Sequence, residues 1–139
     1  MKTKMVSKIL LTAGLMLVLG SAITQVHGEA DKLPLITIHS TGDVARGKTG
    51  SFVLNMNPVV FGGTYVKFSV GGTAIPGVDY VHLVSPAHIG QSGYGVILVQ
   101  TLPNLRVPSV DSYSVVVTLE PGAGYVLGEP SKATMRIKP

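Results

Sequence analysis

Short apolar runs broken by turn residues fill the sequence after residue 28 and favour strands over helices. Val, Ile, Thr, Tyr and Phe recur in runs separated by Gly, Pro, Asn and Ser, and none of these runs shows the three-to-four-residue spacing of an amphipathic helix. The pattern predicts seven β-strands, at residues 35–39, 51–56, 64–70, 80–84, 95–101, 113–119 and 133–138. Strands of this length and spacing predict an all-β fold, an antiparallel β-sandwich of two sheets.

The segment 65–70 shows the alternation on which this prediction depends. Val66, Phe68 and Val70 lie on one face of a strand, whereas Lys67 and Ser69 lie on the other. A sheet with one apolar and one polar face packs against a second layer and leaves its polar face in water.

The first 28 residues differ from the rest in composition. Three lysines precede an apolar run at residues 9–19, which small residues follow, as in a secretory signal peptide. The run is well short of the roughly 20 residues that span a bilayer as a helix. We expect cleavage after Gly28, with Ala22 as the alternative, and no membrane span in the mature chain. The expected location is outside the cytoplasm, in a bacterial periplasm or at the cell surface.

Residues 29–139 fit a single domain with a core of its own. This part of the chain has eight Lys and Arg against seven Asp and Glu, and the net charge of +4 for the whole chain includes the leader lysines. A nearly neutral domain without a basic and aromatic cluster argues against nucleic acid as a partner. The chain contains no cysteine, which excludes thiol catalysis and cysteine-ligated metals.

The stretch GTAIPGVDY at residues 72–80 is the most specific motif in the chain. It is similar to the G-T-A-x-x-G-x-D-Y motif of Calx-beta domains, and a strand, loop and strand at residues 113–137 add support. The resemblance covers residues 35–138. It implies a seven-stranded immunoglobulin-like sandwich that, in many members of the family, binds Ca²⁺ through carboxylates from several loops.

The carboxylates that the resemblance implies are only partly present. Asp79 occupies the Asp position of the motif, and Asp111 corresponds to an acidic position before the sixth strand. Arg46 stands where the family often has Glu, Asn104 is the nearest oxygen donor where an acidic pair is expected, and Lys138 is found where Asp often ends the last strand. Because Ca²⁺ takes six to eight oxygen ligands, such a degenerate site should bind it weakly or not at all.

An ion pair could take the place of the missing ion. A cation beside the site would repel Ca²⁺. We therefore expect Arg46 or Lys138 to replace the ion by pairing with Asp79 or Asp111. Asp79 then acts mainly on its own loop, by accepting backbone N–H bonds, and Tyr80 is a buried anchor. No cofactor is expected, and calcium is implied by the resemblance alone.

Three functions remain open from the sequence. The first is an exported, non-enzymatic module that binds a protein or cell-surface component through loops or an edge strand, with Leu105, Arg106 and Val107 as candidate contacts. The second is a calcium-binding module that uses Asp79 and Asp111. The third is an enzyme whose site cannot be recognised from the sequence, because the seven mature acidic residues are scattered and have no convincing His partner.

Overall fold

The structure, a computed structural model, describes residues 32–103 and 112–139. The predicted signal peptide and its cleavage sites lie outside these residues. The strands of the described part are β1 (Leu35–Ser40), β2 (Val44–Ala45), β3 (Thr49–Asn57), β4 (Thr64–Val66), β5 (Phe68–Gly71), β6 (Ala87–Ile89), β7 (Tyr94–Gln100), β8 (Tyr113–Leu119), β9 (Val126–Leu127) and β10 (Lys132–Lys138). Within these ranges no helix is long and apolar enough to cross a membrane.

Two four-stranded sheets and one two-stranded sheet account for all of these strands. The first large sheet has the order β9-β1-β3-β7, the second has the order β2-β10-β8-β5, and β4 pairs with β6. The long strands pair antiparallel, as the sequence predicts, whereas the short strands β9 and β2 pair parallel to β1 and β10. The predicted all-β sandwich is confirmed, and the two parallel edge pairs are an addition that the sequence does not indicate.

The core lies between the two large sheets because alternate residues of each long strand are apolar. Buried and exposed positions alternate strictly along β7, and β3 and β8 bury every second residue over most of their length. The largest fully buried aliphatic and aromatic side chains on these sheets are Ile36, Ile38, Phe52, Leu54, Val99, Val115, Val117, Met135 and Ile137. Burial of each such side chain stabilises the fold by about 1.5–3 kcal/mol relative to exposure.

The predicted strand at residues 64–70 is divided in two at Lys67. The backbone N–H of Lys67 donates to the hydroxyl of Tyr125 at 3.1 Å, and its carbonyl accepts from Glu120 at 2.9 Å. Because Lys67 bonds outside the ladder, β4 pairs with β6 in the small sheet while β5 pairs with β8 in the large one.

The predicted strand at residues 80–84 is wrong. Tyr80 makes only isolated bridges to Pro76 and Thr101, and Val81 donates one bond to Gln100 at 2.9 Å. Tyr80 is buried, but the apolar residues after it are partly or largely exposed, so the run has no consistent inner face. The strand at this place in the chain is β6, seven residues after Tyr80.

Candidate functional site

The loop that carries the GTAIPGVDY motif leaves β5 through a glycine turn against β8. Gly72 has a φ of +104°, and a Cβ at this position would lie 2.4 Å from the carbonyl oxygen of Ser114. Only glycine fits both the backbone conformation and this close approach. The N–H of Ala74 donates to the same Ser114 carbonyl at 2.8 Å. The first half of the loop is therefore fixed directly on the backbone of β8.

Thr73 and Ser114 strengthen this attachment through a reciprocal pair of hydrogen bonds. The N–H of Thr73 donates to the Ser114 hydroxyl at 2.9 Å, and the N–H of Ser114 donates to the Thr73 hydroxyl at 2.8 Å. Each hydroxyl thus accepts from the other residue's backbone. The loop behaves as an extension of the second sheet.

The second half of the loop closes around Asp79. The N–H groups of Val78 and Asp79 donate to the carbonyl of Ile75 at 3.0 and 2.8 Å. The N–H of Gly77 donates to the backbone carbonyl of Tyr80 at 2.7 Å. The side chain of Asp79 completes this turn, because its Oδ2 accepts from the N–H of Ile75 at 2.7 Å. Asp79 is fully buried and holds its own loop closed.

Arg46 reaches Asp79 from the turn between β2 and β3. The backbone N–H of Arg46 donates to the carbonyl of Lys138 at 2.8 Å, so Arg46 lies beside the end of β10. Its Nη2 donates to Asp79 Oδ1, and its Nη1 donates to the carbonyl of Leu102 at 3.1 Å. The guanidinium carbon lies 5.5 Å from the centroid of the Tyr113 ring, within range of a cation–π interaction.

The Arg46–Asp79 ion pair is buried, with the two side chains 5% and 0% exposed. Leu102 links the two partners a second time, because its N–H donates to the carbonyl of Asp79 at 2.9 Å while its own carbonyl accepts from Arg46. Attraction between charges is strong where water is excluded, and removing one partner leaves the other charge uncompensated. The pair therefore ties three separate segments of the chain together.

Tyr80 shows the electrostatic effect of its neighbour. Its side chain is buried beside Asp79, and burial raises the pKa of the Tyr80 hydroxyl above its ordinary value. The negative charge of Asp79 raises this pKa further. The phenol is accordingly held in its neutral form in the folded protein.

Lys138, the second cation expected near the site, lies beside a different carboxylate. Its Nζ is 3.6 Å from Asp43 Oδ2, and both side chains are substantially exposed. Asp43 also accepts from the N–H of Arg136 at 3.1 Å. Of the two expected cations, Arg46 is the one that the structure brings to Asp79.

Several of the predicted positions cannot be compared with the structure. Asp111, Asn104 and the candidate contacts Leu105, Arg106 and Val107 lie outside the described residues. Among residues 32–103 and 112–139, no three His, Asp or Glu side chains lie close enough together to hold a metal ion. The part of the site that can be described is thus a carboxylate bound by a guanidinium.

Sequence reasoning missed Leu102, Tyr113, Thr73 and Ser114 as parts of this site. Leu102 takes part through its backbone, so its side chain carries no signal. Tyr113 and Ser114 follow one another at the start of β8, where one faces Arg46 and the other faces the loop. The sequence shows Ser114 directly after Tyr113. It does not show what these two residues contact, because their partners lie about 40 or more positions away in the chain.

The fold is similar to those of three solved structures of Calx and CALX1 domains, one of which is named a calcium binding domain. The apo form of the Calx CBD1 domain matches with a TM-score of 0.57 and 16% identity over 77% of this chain and 97% of that domain. The calcium binding domain CBD12 of CALX1.1 matches with a TM-score of 0.57 and 15% identity over 73% of this chain, which corresponds to 43% of that structure. CBD12 from CALX1.2 matches with a TM-score of 0.56 and 14% identity over 73% of this chain and 43% of that structure.

No protein-family model matches the sequence of the chain, and the comparison with curated proteins found no match. At 14–16% identity, the three structural matches concern the fold, so the chain has a Calx-beta-like β-sandwich fold.

Proposed function

We propose that this chain is an exported, non-enzymatic β-sandwich module that binds a protein or cell-surface component without calcium. The observation that carries the proposal is the buried ion pair between Arg46 and Asp79. The guanidinium of Arg46 binds the carboxylate of Asp79. By the resemblance to Calx-beta domains, this carboxylate would be a ligand of an ion site. Arg46 thus supplies the positive charge that Ca²⁺ would supply.

Both oxygens of the Asp79 carboxylate are already engaged. Oδ1 accepts from Arg46, and Oδ2 accepts from the backbone of Ile75. Calcium would have to displace the guanidinium, or bind beside it against a repulsion of about 4 kcal/mol per pair of unit charges 4 Å apart at an effective dielectric of 20. Since Ca²⁺ also requires six to eight oxygen ligands, the described residues favour a metal-free loop.

A binding role is supported by the kind of domain to which the fold is similar. One structural neighbour is named a calcium binding domain, and none of the three is named as an enzyme. The predicted signal peptide is the basis for placing the module outside the cytoplasm, where a protein or a surface component would be its partner.

Calorimetric titration of residues 29–139 with CaCl₂, with MgCl₂ as the control ion, tests the calcium-independent function. We expect no heat of binding and an unchanged melting temperature at millimolar Ca²⁺. Micromolar Ca²⁺ binding would contradict the proposal. Affinity capture of partners from native envelope extracts, with and without a chelator, should recover the same partner in both samples.

The second candidate is a calcium-binding module that uses Asp79 and Asp111, and the calcium binding domain among the structural neighbours favours it. In that case Ca²⁺ raises the melting temperature, and Asp79→Asn abolishes the increase. Under the first proposal Asp79→Asn lowers the melting temperature equally with and without Ca²⁺. The same titration therefore separates the two candidates.

A further inference from the structure

Strand β7 forms one edge of the first sheet, where it pairs with β3 alone among the described strands. Just after β7, the N–H of Thr101 donates to the carbonyl of Lys48, which lies on the side of β3. The carbonyl of Gln100 points to the opposite side, where it accepts from the N–H of Val81. Because backbone polar groups alternate sides along a strand, Leu98, Val96 and Tyr94 direct their N–H and C=O groups to the same side as Gln100. The N–H of Tyr94 donates locally to the Ser92 hydroxyl at 3.3 Å. Within the described structure, the ladder on this side continues only through the bond from Val81.

The same three residues carry exposed apolar side chains on the outer face of the sheet. Tyr94, Val96 and Leu98 are 62%, 55% and 63% exposed. On the neighbouring strand their partners are Asn55, Val53 and Ser51, none of which is charged.

The sequence of β7 has none of the features that usually protect a sheet edge, and the segment after Tyr80 bonds only to the end of this strand, at Gln100. Its sequence, YGVILVQ, contains no charged residue and no proline, and the pairing with β3 runs through all seven residues without a bulge. Natural proteins place Lys, Pro or a bulge on edge strands because an open edge pairs readily with another strand. An apolar, uncharged edge of this kind is suited to pairing with another strand.

We propose that the strand covering β7 is β7 of a second copy of this chain. The two strands pair antiparallel around a two-fold axis at Val96 and join two four-stranded sheets into one continuous sheet. Val96 then lies opposite Val96 of the second copy, and Tyr94 lies opposite Leu98 of the second copy. Each of these is a hydrogen-bonded pair, because the backbone groups of all three residues are directed to the open edge. In this arrangement the N–H of Tyr94 exchanges its 3.3 Å bond to the Ser92 hydroxyl for the Leu98 carbonyl of the second copy.

The register at Val96 follows from the contacts at the end of the strand. An axis moved to Leu98 would place Val96 opposite Gln100, whose carbonyl already accepts from Val81. An axis at Val96 leaves the bond from Val81 intact and brings apolar side chains together at every pair. Cross-strand apolar pairs of this kind stabilise antiparallel sheets.

A second copy fits this edge better than a charged foreign strand does. The edge offers no charge to attract or orient such a partner, and its side-chain pattern is complementary to itself when reversed. The domain after residue 28 is nearly neutral, with eight Lys and Arg and seven Asp and Glu, so two copies do not repel each other strongly. Contact through one strand buries less than about 1,200 Å², which places the dimer in the weak, reversible class.

Self-association through β7 is independent of the proposed partner binding, because the second copy and not a foreign component occupies the strand. Sedimentation velocity of residues 29–139 over a concentration series measures it. We expect the average mass to rise towards twice that of the monomer. Val96→Lys places two like charges across the axis and should raise the dissociation constant by about tenfold or more. The matched control, Val84→Lys, changes a residue that is 80% exposed and lies outside the strands, and it should dimerise like the wild type.

The absence of cysteine gives a direct test of the register. In the dimer, Val96→Cys places the new cysteine of each copy opposite that of the other in a hydrogen-bonded pair. The two Cα atoms are then about 5.5 Å apart, within the range that a disulfide spans. Mild oxidation should cross-link this variant as a dimer much faster than Val84→Cys. A wild type that stays monomeric at all concentrations, or a Val96→Lys variant that dimerises unchanged, would overturn the proposal. A monomer whose capture of an envelope protein is lost only in Val96→Lys would assign the edge to a foreign strand instead.

Discussion

Arg46 and Asp79, 33 positions apart in the sequence, form a buried ion pair that connects the β2–β3 turn with the loop after β5. Replacing Arg46 with Met removes the cation and leaves the buried carboxylate without its charged partner. We expect the free energy of unfolding to fall by about 3–5 kcal/mol, the range found when one partner of a buried pair is removed. Urea denaturation of residues 29–139 at neutral pH measures this loss.

Arg136→Met is the matched control for this experiment. Arg136 is an exposed arginine on β10, so its replacement should change the free energy of unfolding by no more than about 0.5 kcal/mol. Equal losses for the two variants would show that the Arg46–Asp79 pair has no special role in stability.

A reversal of charge at position 46 should create a response to calcium. In Arg46→Glu two carboxylates face each other in a buried site, so the variant should be less stable than the wild type in the absence of metal. Ca²⁺ relieves this repulsion, and we expect millimolar Ca²⁺ to raise the melting temperature of this variant only. Thermal unfolding with Ca²⁺, and with Mg²⁺ as the second ion, is the measurement.

Arg46→Gln distinguishes the new carboxylate from the simple loss of the arginine. It removes the positive charge without adding a ligand charge, and its melting temperature should not respond to Ca²⁺. If Gln and Glu at position 46 respond alike, the bound guanidinium alone prevents calcium binding, and the number of carboxylates does not decide it.

The strands that the sequence predicts well are those whose inner faces are apolar along their whole length. The predicted strand at residues 113–119 coincides with β8, and those at 51–56 and 95–101 agree with β3 and β7 to within two residues at each end. In these strands local alternation and burial point the same way, so periodicity alone is sufficient.

The errors occur where contacts distant in the sequence override local pattern. The segment 64–70 alternates like one strand, but the Tyr125 hydroxyl takes the Lys67 N–H and divides it. The apolar run at 80–84 also resembles a strand, yet it follows a turn closed by Asp79 and makes one bond to β7. No local signal in the sequence reveals either contact.

The candidate site shows the same limit. The motif identified Asp79, and the substitution at position 46 suggested its partner. The carbonyl of Leu102 and the ring of Tyr113, which complete the surroundings of the guanidinium, depend on where β7 ends and β8 begins in space. A motif gives the residue type at a site, whereas its partners from other strands follow only from the fold.

The conformation of Gly72 predicts a sharp difference between two adjacent glycines. Gly72→Ala introduces a Cβ at a φ of +104° and 2.4 Å from the Ser114 carbonyl, so it should lower the free energy of unfolding by about 2 kcal/mol or more. Gly71 has no atom within 4 Å of an added Cβ, and Gly71→Ala should change stability by less than about 1 kcal/mol. Chemical denaturation of both variants tests this difference, and similar losses would mean that the turn adjusts to a side chain.

The raised pKa of Tyr80 predicts that the fold weakens at alkaline pH. In the unfolded chain a tyrosine loses its proton near pH 10, whereas burial and the charge of Asp79 keep Tyr80 protonated to a higher pH in the folded protein. Between these two pKa values the unfolded state binds fewer protons than the folded state, so the free energy of unfolding falls as pH rises. The contribution of Tyr80 is fully present below about pH 10 and is lost as pH rises through the folded-state pKa.

Tyr80→Phe should therefore flatten the alkaline decline, because the buried ring remains and the ionisable hydroxyl is removed. Urea denaturation at a series of pH values from neutral to alkaline gives the slope for each protein. Tyr94→Phe is the matched control, since it removes a hydroxyl from a tyrosine that is 62% exposed and retains Tyr80. The free energy of unfolding could instead fall with pH equally steeply in Tyr80→Phe and in the wild type. That result would mean that other groups cause the decline, and that Arg46 neutralises the effect of the Asp79 charge on the Tyr80 hydroxyl.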